Sequence, residues 1–307
     1  MANKIEWVQK VRRVYSVMRS VVRHPLHRGK RLKAAVRWAR LQTAIYLTPA
    51  RQITIPYVNG AVLNWSAPAT SVMICARYGL GEYADMAFCL HMLRSDDLFC
   101  DVGANAGVYT VLAAHAVGCS VVAAEPISKT FDLLMQNIYA NGLSGRVDAR
   151  NVGVGRKPGR LSFTSSLWSY NHVVDRPGEN TVEVEVLPLD ELLAGRTPTV
   201  IKIDVEGFEA EVIAGAQKTL ANLSVQAVLL EMCGHVKRYG ATLGEIVSTL
   251  AGYGFHGPYW YDPEARKMID VGKQEARKYN QIFIRNQDVV AERVTSATRY
   301  EIHETFI

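Results

Sequence analysis

The chain has 307 residues, 49% of them hydrophobic, and a net charge of +6. That length and composition require a buried core and exclude an intrinsically disordered chain. No uninterrupted apolar run reaches the roughly 20 residues of a spanning helix, because the most apolar segment, 111–124, is broken by His115 and Gly118.

The charge is unevenly spread. Residues 1–51 hold thirteen Lys or Arg against one acid, Glu6, so this segment carries +12 and the remainder −6. The chain reads as a basic arm on an acidic body. Its five cysteines, Cys75, Cys89, Cys100, Cys119 and Cys233, are scattered, odd in number and without a CxxC pair. They are expected to be buried, reduced thiols of a cytoplasmic protein. The N-terminus has no apolar h-region, so no secretory signal is expected.

In the arm, Val8, Val11, Val14 or Tyr15, Met18, Val21 and Val22 recur at helical spacing between basic residues, and His24-Pro25 ends the pattern. A second basic helix is predicted from Lys30 to Tyr46, with Leu32, Ala35, Val36, Ala39, Thr43 and Tyr46 on one face. Three readings stand for the arm: its apolar face packs on the body, it lies on an anionic membrane surface with Trp7 at the boundary, or it binds nucleic acid. No recognisable nucleic-acid module supports the third, and no specific nucleic acid is expected.

Residues 52–66 alternate around Asn59-Gly60 and predict a β-hairpin. A lead-in helix follows over Gly81 to Arg94. Strands and helices then alternate: Leu98–Val102, Val108–Ala116, Ser120–Glu125, Lys129–Asn141 and Val147–Val152. After an irregular stretch come strands near Leu161 and over Val182–Leu187, strand Val200–Val205, a helix to about Leu220, strand Val225–Glu231, helix Leu243–Ala251, and closing strands around Phe255 and Gln281–Ile284. This alternation predicts a mainly parallel sheet with helices on both faces and a ligand crevice beyond the strand C-termini. The expected organisation is an arm over 1–50, the hairpin and lead-in helix over 51–95, and the main domain over 96–307.

The segment "DVGANAGVYT", Asp101 to Thr110, follows a strand and opens a helix. Gly103 and Gly107 permit a sharp turn and close ligand approach, and a helix N-terminus favours a negative group. The next strand ends in Glu125, 24 residues after Asp101, where a carboxylate can accept both hydroxyl hydrogens of a ribose. Loop, acid and strand order together predict an adenosine-containing cofactor.

With Asn137, "VEVEVLPLDEL" and "IKIDVEGFEAEVIAGA", these segments resemble the FkbM-type methyltransferases. The match runs in order from about Asp96 to Glu231, with weaker similarity to Ile284. The resemblance implies a class I methyltransferase (Rossmann-like) fold of seven strands, S-adenosylmethionine as cofactor, and O-methylation, usually of a sugar hydroxyl in a glycan, glycolipid or natural product. It would place Asp101, Gly103, Asn105, Gly107 and Thr110 along the methionine part, Glu125 on the ribose and Asn151 at the adenine edge. Residues 1–50 lie outside the shared core.

Transfer of the methyl group to a hydroxyl needs alignment and removal of the hydroxyl proton, so a base or a metal is expected. In "IKIDVEGFEAEVIA", Asp204 ends a strand and shares a side with Lys202 and Glu206, which predicts that both acids enter the crevice. Glu209 and Glu211 instead fall in the first helical turn, where acids complement the dipole. Asp204 is expected to hold the cofactor amino group, and Glu206 to orient substrate. Glu231 ends the neighbouring strand, and such carboxylates either bind Mg²⁺ or raise one another's pKa to make a base.

The preferred base is His172 in "LWSYNHVV", a segment similar to one at this place in the family. His235 is a second candidate, and Trp168 and Tyr170 are candidates for stacking on a sugar face. The reading these residues and the resemblance support is an S-adenosylmethionine-dependent O-methyltransferase for a saccharide acceptor, cytoplasmic and peripheral at the membrane through residues 1–48. The competing readings are a nucleic-acid or protein methyltransferase, or a non-catalytic membrane-docked binding protein.

Overall fold

The computed structural model describes residues 2–48, 52–67, 69–167, 170–174, 176–232, 234–271 and 280–307, with side chains of 2–11 and 13 left undescribed. Trp168 and Cys233, and the side chains of Trp7, Val8 and Val11, therefore lie outside the described residues. The fold is α/β, built on an eight-stranded sheet. From one edge its strands run Lys267–Asp270, His256–Asp262, Asn280–Ile284, Ala227–Glu231, Val200–Ile203, Leu98–Val102, Ser120–Ala124 and Val147–Arg150.

Parallel pairing joins the five strands from Ala227–Glu231 to Val147–Arg150, while Asn280–Ile284 inserts antiparallel between Ala227–Glu231 and His256–Asp262. The seven expected strands are present. The edge strand Lys267–Asp270 adds an eighth, paired antiparallel to His256–Asp262.

The near-continuous apolar runs of the central strands reflect burial on both faces. Phe99, Val121, Ala123, Val200, Ala227 and Leu229 enter one core, and Cys100, Val102, Val122, Ala124, Ile201, Ile203, Val228 and Leu230 enter the other. Period-two alternation carries two polar residues, Asp101 and Lys202, onto the first face, and the strand register sets them directly opposite one another. That face is covered by the hairpin Gln52–Pro56/Val62–Ser66 and helices Thr70–Tyr78 and Tyr83–Met92, which share its core. The hairpin turns where expected, with Asn59 and Gly60 both at positive φ.

The strands expected near Leu161 and over Val182–Leu187, here Gly159–Thr164 and Thr181–Leu187, form a second sheet with two short strands that were not expected, Gly153–Val154 and Val173–Val174. The helix expected to reach Leu220 is two, Glu209–Ala214 and Gln217–Ala221, because Gly215 between them lies against the Gly155 carbonyl. Cys75, Cys89, Cys100 and Cys119 are buried free thiols.

The arm forms two helices, Ala2–Arg23 and Arg31–Leu47, docked on the body. Val21, Ala34 and Trp38 bury together beside Tyr78, Ser20 meets the Tyr78 hydroxyl at 2.8 Å, and Arg28 pairs with Glu264. The second helix buries a different face from the one expected. Ala34 and Trp38 turn inward, whereas Leu32, Val36 and Tyr46 remain exposed. No helix among the described residues is long and apolar enough to cross a membrane.

Candidate active site

Beyond the C-terminal ends of the parallel strands lies a cavity of about 840 Å³. At one end the loop after Leu98–Val102 turns through Gly103, Asn105 and Gly107, all at positive φ. The Gly103 and Ala104 N–H groups donate to the Ala124 carbonyl, which locks this loop to the next strand end. A Cβ at Gly103 would lie 1.9 Å from the Asp204 carbonyl oxygen, so glycine is required where two strand-end loops touch. A Cβ at Gly107 would lie 2.5 Å from Leu134, which packs beneath the helix start.

Glu125 is buried at this end of the cavity, and its carboxylate accepts hydrogen bonds from the Asn105 and Ile127 N–H groups, each at 3.0 Å. Burial outweighs these donors and raises its pKa to about 7. Each oxygen keeps a lone pair, so the carboxylate can still take the two hydroxyl hydrogens of a ribose. Asn105 is oriented by Ser71, whose hydroxyl lies 2.9 Å from its side-chain oxygen.

Asp101, Gly107 and Thr110 stand behind the cavity wall. Thr110 donates to Asp101 at 2.7 Å, and Asp101 lies 3.9 Å from Lys202 Nζ. Asn151 is likewise outside the lining. Its amide donates to the Glu125 and Pro126 carbonyls and so fixes the loop that presents Glu125, while Val152 and Gly153 line the cavity beside it.

At the other end a buried ammonium, that of Lys202, is set among three acids, Asp204, Asp101 and Glu82. Lys202 Nζ lies 2.9 Å from Asp204 and 4.8 Å from the Tyr109 ring centroid. Burial alone would lower its pKa, but Asp204, Asp101 and Glu82 outweigh burial and keep it charged. Asp204, Glu206 and Glu231 each bring an oxygen within 4.8 Å of the others. Burial first, then Asp204, raises the Glu206 pKa to about 7. Burial, with Asp204, Glu206 and Glu209 adding repulsion, pushes Glu231 above the usual carboxylate range.

His235 Nδ1 lies 3.3 Å from Glu206 Oε2 on the cavity wall. Gly207 permits this contact: at φ +108, a Cβ there would lie 2.7 Å from the His235 backbone.

Glu211 turns away from the cluster and pairs with Arg156 at 2.8 Å, whereas Glu209 is buried close enough to repel Glu231 and accepts the Gly207 N–H at 3.0 Å. His172 does not line the cavity. Its Nδ1 is tied to the Tyr170 carbonyl at 2.9 Å, and the chain instead presents Tyr170 and Asn171.

Sequence reasoning missed Glu82, Tyr109 and Asn280. The Tyr109 hydroxyl donates to Glu82 at 2.5 Å, and all three residues line the Lys202 end of the cavity. Glu82 precedes a helix far upstream of the glycine loop, and no local pattern marks it.

A mainly parallel sheet of this strand order, a glycine-lined turn on its first strand and a ribose-ready carboxylate on its second define a site for an adenosine-containing cofactor. The methyltransferase FkbM domain family matches residues 101–256, and the chain belongs to that family. Hexuronic acid methyltransferase AglP of Haloferax volcanii is 30% identical over 202 residues, covering 64% of this chain and 79% of that protein. Among solved structures, the FkbM methyltransferase of Methylobacillus flagellatus aligns with a TM-score of 0.45 at 14% identity. It covers 70% of this chain, which spans 53% of that protein. A methyltransferase of Pyrococcus furiosus aligns with a TM-score of 0.42 at 14% identity, covering 82% and 99%.

Replacing Glu125 with Ala is expected to weaken S-adenosylhomocysteine binding by roughly 10- to 100-fold, the worth of one or two charge-assisted hydrogen bonds. The wild-type affinity should also fall as pH drops below about 7, because the protonated carboxyl accepts hydroxyl hydrogens poorly. Calorimetric titration across pH measures both effects.

Proposed function

We propose that the protein methylates a hydroxyl of a saccharide in a glycan, glycolipid or related natural product. The observation that carries this reading is the His235–Glu206 pair, set in the same cavity as Glu125. A sugar hydroxyl needs a base at neutral pH, and a histidine held by a carboxylate is such a base. The relative AglP, named for a hexuronic acid, adds support for a sugar acceptor.

S-adenosylmethionine supplies an electrophilic methyl on a sulfonium sulfur. Glu125 would hold its ribose hydroxyls, the Gly103–Asn105 turn would flank its methionine part, and Asp204 would take the amino group. With Nδ1–H donated to ionised Glu206, His235 would leave Nε2 free to accept the proton of the acceptor hydroxyl. Lys202 stays protonated and serves as a fixed positive charge, not as a base. Glu231, held protonated, donates a hydrogen bond toward the acceptor. Tyr170 offers a ring to a sugar face.

Asp204, Glu206 and Glu231 are also the residues that would hold Mg²⁺. Unchanged turnover after chelation would remove the ion from the reaction. The arm, with Tyr46 and Leu47 exposed beside its arginines, suits the surface of an anionic membrane where lipid-linked saccharides reside.

Labelled methyl transfer to fractionated cell extract tests the acceptor class. The label is expected in glycan and glycolipid fractions and absent with Glu125→Ala; label confined to RNA or protein would reject the saccharide.

A further inference from the structure

A second cavity, of about 480 Å³, lies between the second arm helix and the C-terminal hairpin Glu301–Ile302/Thr305–Phe306. Lys30, Lys33, Arg37 and Arg40 recur at three- and four-residue spacing, so all four cations fall on one side of the helix and line this cavity. A single carboxylate lines it with them. Glu304 is engaged by Lys33 at 2.7 Å, and its backbone carbonyl accepts from Lys30.

Arg37 is half-buried and donates to His27 Nε2 at 2.6 Å. The other ring nitrogen of His27 bonds the Val21 carbonyl, which fixes the ring as a neutral acceptor. The guanidinium thus meets a neutral partner where a buried cation calls for an anion. Burial lowers the Arg37 pKa, and Glu304 only partly opposes it. Arg40 is exposed and has no carboxylate partner among the described residues.

Four cations facing one acid leave an excess of about three positive charges around a cavity rich in N–H donors. The matching ligand is small, carries more than one negative charge and presents several acceptor oxygens. We propose that this cavity binds a phosphoryl group, as a free diphosphate or as the headgroup of an anionic lipid. It is separate from the methyl-transfer cavity and does not depend on the saccharide reading. The exposed Leu32 and Val36 line the same cavity, so a lipid-borne phosphoryl would meet apolar side chains beside the cations.

The test uses the full chain at low salt, where such contacts are least screened. Pyrophosphate is titrated calorimetrically, and flotation is measured with phosphatidylglycerol and with phosphatidylcholine vesicles. Binding to pyrophosphate alone assigns a soluble ligand; flotation with phosphatidylglycerol but not phosphatidylcholine assigns a lipid. In either case Lys33→Gln with Arg40→Gln is expected to weaken binding at least about tenfold. Glu304→Gln, which removes the competing carboxylate, is expected to strengthen it about threefold.

These three positions are exposed, and S-adenosylhomocysteine affinity should stay at the wild-type value, which reports an intact fold. The absence of both heat with pyrophosphate and flotation with phosphatidylglycerol would overturn the proposal. So would equal flotation on both lipids, or binding that the double substitution leaves unchanged.

Discussion

Replacing His235 with Ala is expected to lower kcat by roughly 10²- to 10⁴-fold, the usual worth of a general base, while leaving cofactor affinity unchanged. The expectation rests on the 3.3 Å contact between His235 Nδ1 and Glu206 and on the place of both residues in the cavity wall. Glu206 must be ionised to accept the Nδ1 hydrogen. Its pKa is raised to about 7, chiefly by burial, so kcat at saturating cofactor should fall as pH drops through about 7. Glu206→Gln should lower kcat, because the imidazole loses the carboxylate that holds it. His172→Ala should leave kcat close to wild type, because His172 does not line the cavity. Full turnover by His235→Ala, measured with a sugar acceptor, would remove the assigned base.

The largest stability effect is expected from Gly103→Ala. The residue sits at φ +79, and its Cβ would lie 1.9 Å from the Asp204 carbonyl oxygen. Left-handed strain adds to a backbone clash that no side-chain rotation relieves, so a loss of about 3 kcal/mol or more is expected. The strand-end loops would also separate, shifting Asp204 and Asn105 together and weakening cofactor binding. By contrast, Gly142→Ala meets no neighbouring atom and bears only the cost of φ +66, about 1 kcal/mol. Urea denaturation of the two variants separates contact from conformation.

The central sheet was legible because its strands are buried on both faces and read as short apolar runs between glycine turns. The Gly103–Gly107 turn and Glu125 were legible for a local reason: both mark strand ends in one βαβ unit. The divided fate of "IKIDVEGFEAEVIA" was legible too, since a strand end and a helix start aim their acids differently. Asp204 and Glu206 line the cavity, whereas Glu211 pairs with Arg156 outside it.

What escaped the sequence depends on contacts between distant segments. Lys202 reads as one polar residue in an apolar strand, and its importance emerges only when register sets it opposite Asp101 and beside Asp204. Glu82 and Asn280 reach the cavity from opposite ends of the chain. His172 looked better than His235 on local grounds, being in a family-like loop. Gly207 lets His235 approach Glu206, a contact between two segments, whereas His172 does not line the cavity. The C-terminal helix Gln287–Ser296 has a local signal of its own: Asn286 caps the N–H groups of Asp288 and Val289, with Val290 and Val294 buried at helical spacing.

The most direct measurement of the central claim is the bond formed by the transferred carbon. Methyl-labelled S-adenosylmethionine, incubated with the protein and a glycolipid extract, should give a product whose methyl resonance correlates with a sugar ring position, as a methyl ether. That product should disappear with Glu125→Ala and fall steeply with His235→Ala. A methyl on nitrogen, a methyl ester that forms at full rate without His235, or label confined to RNA or protein would contradict the account.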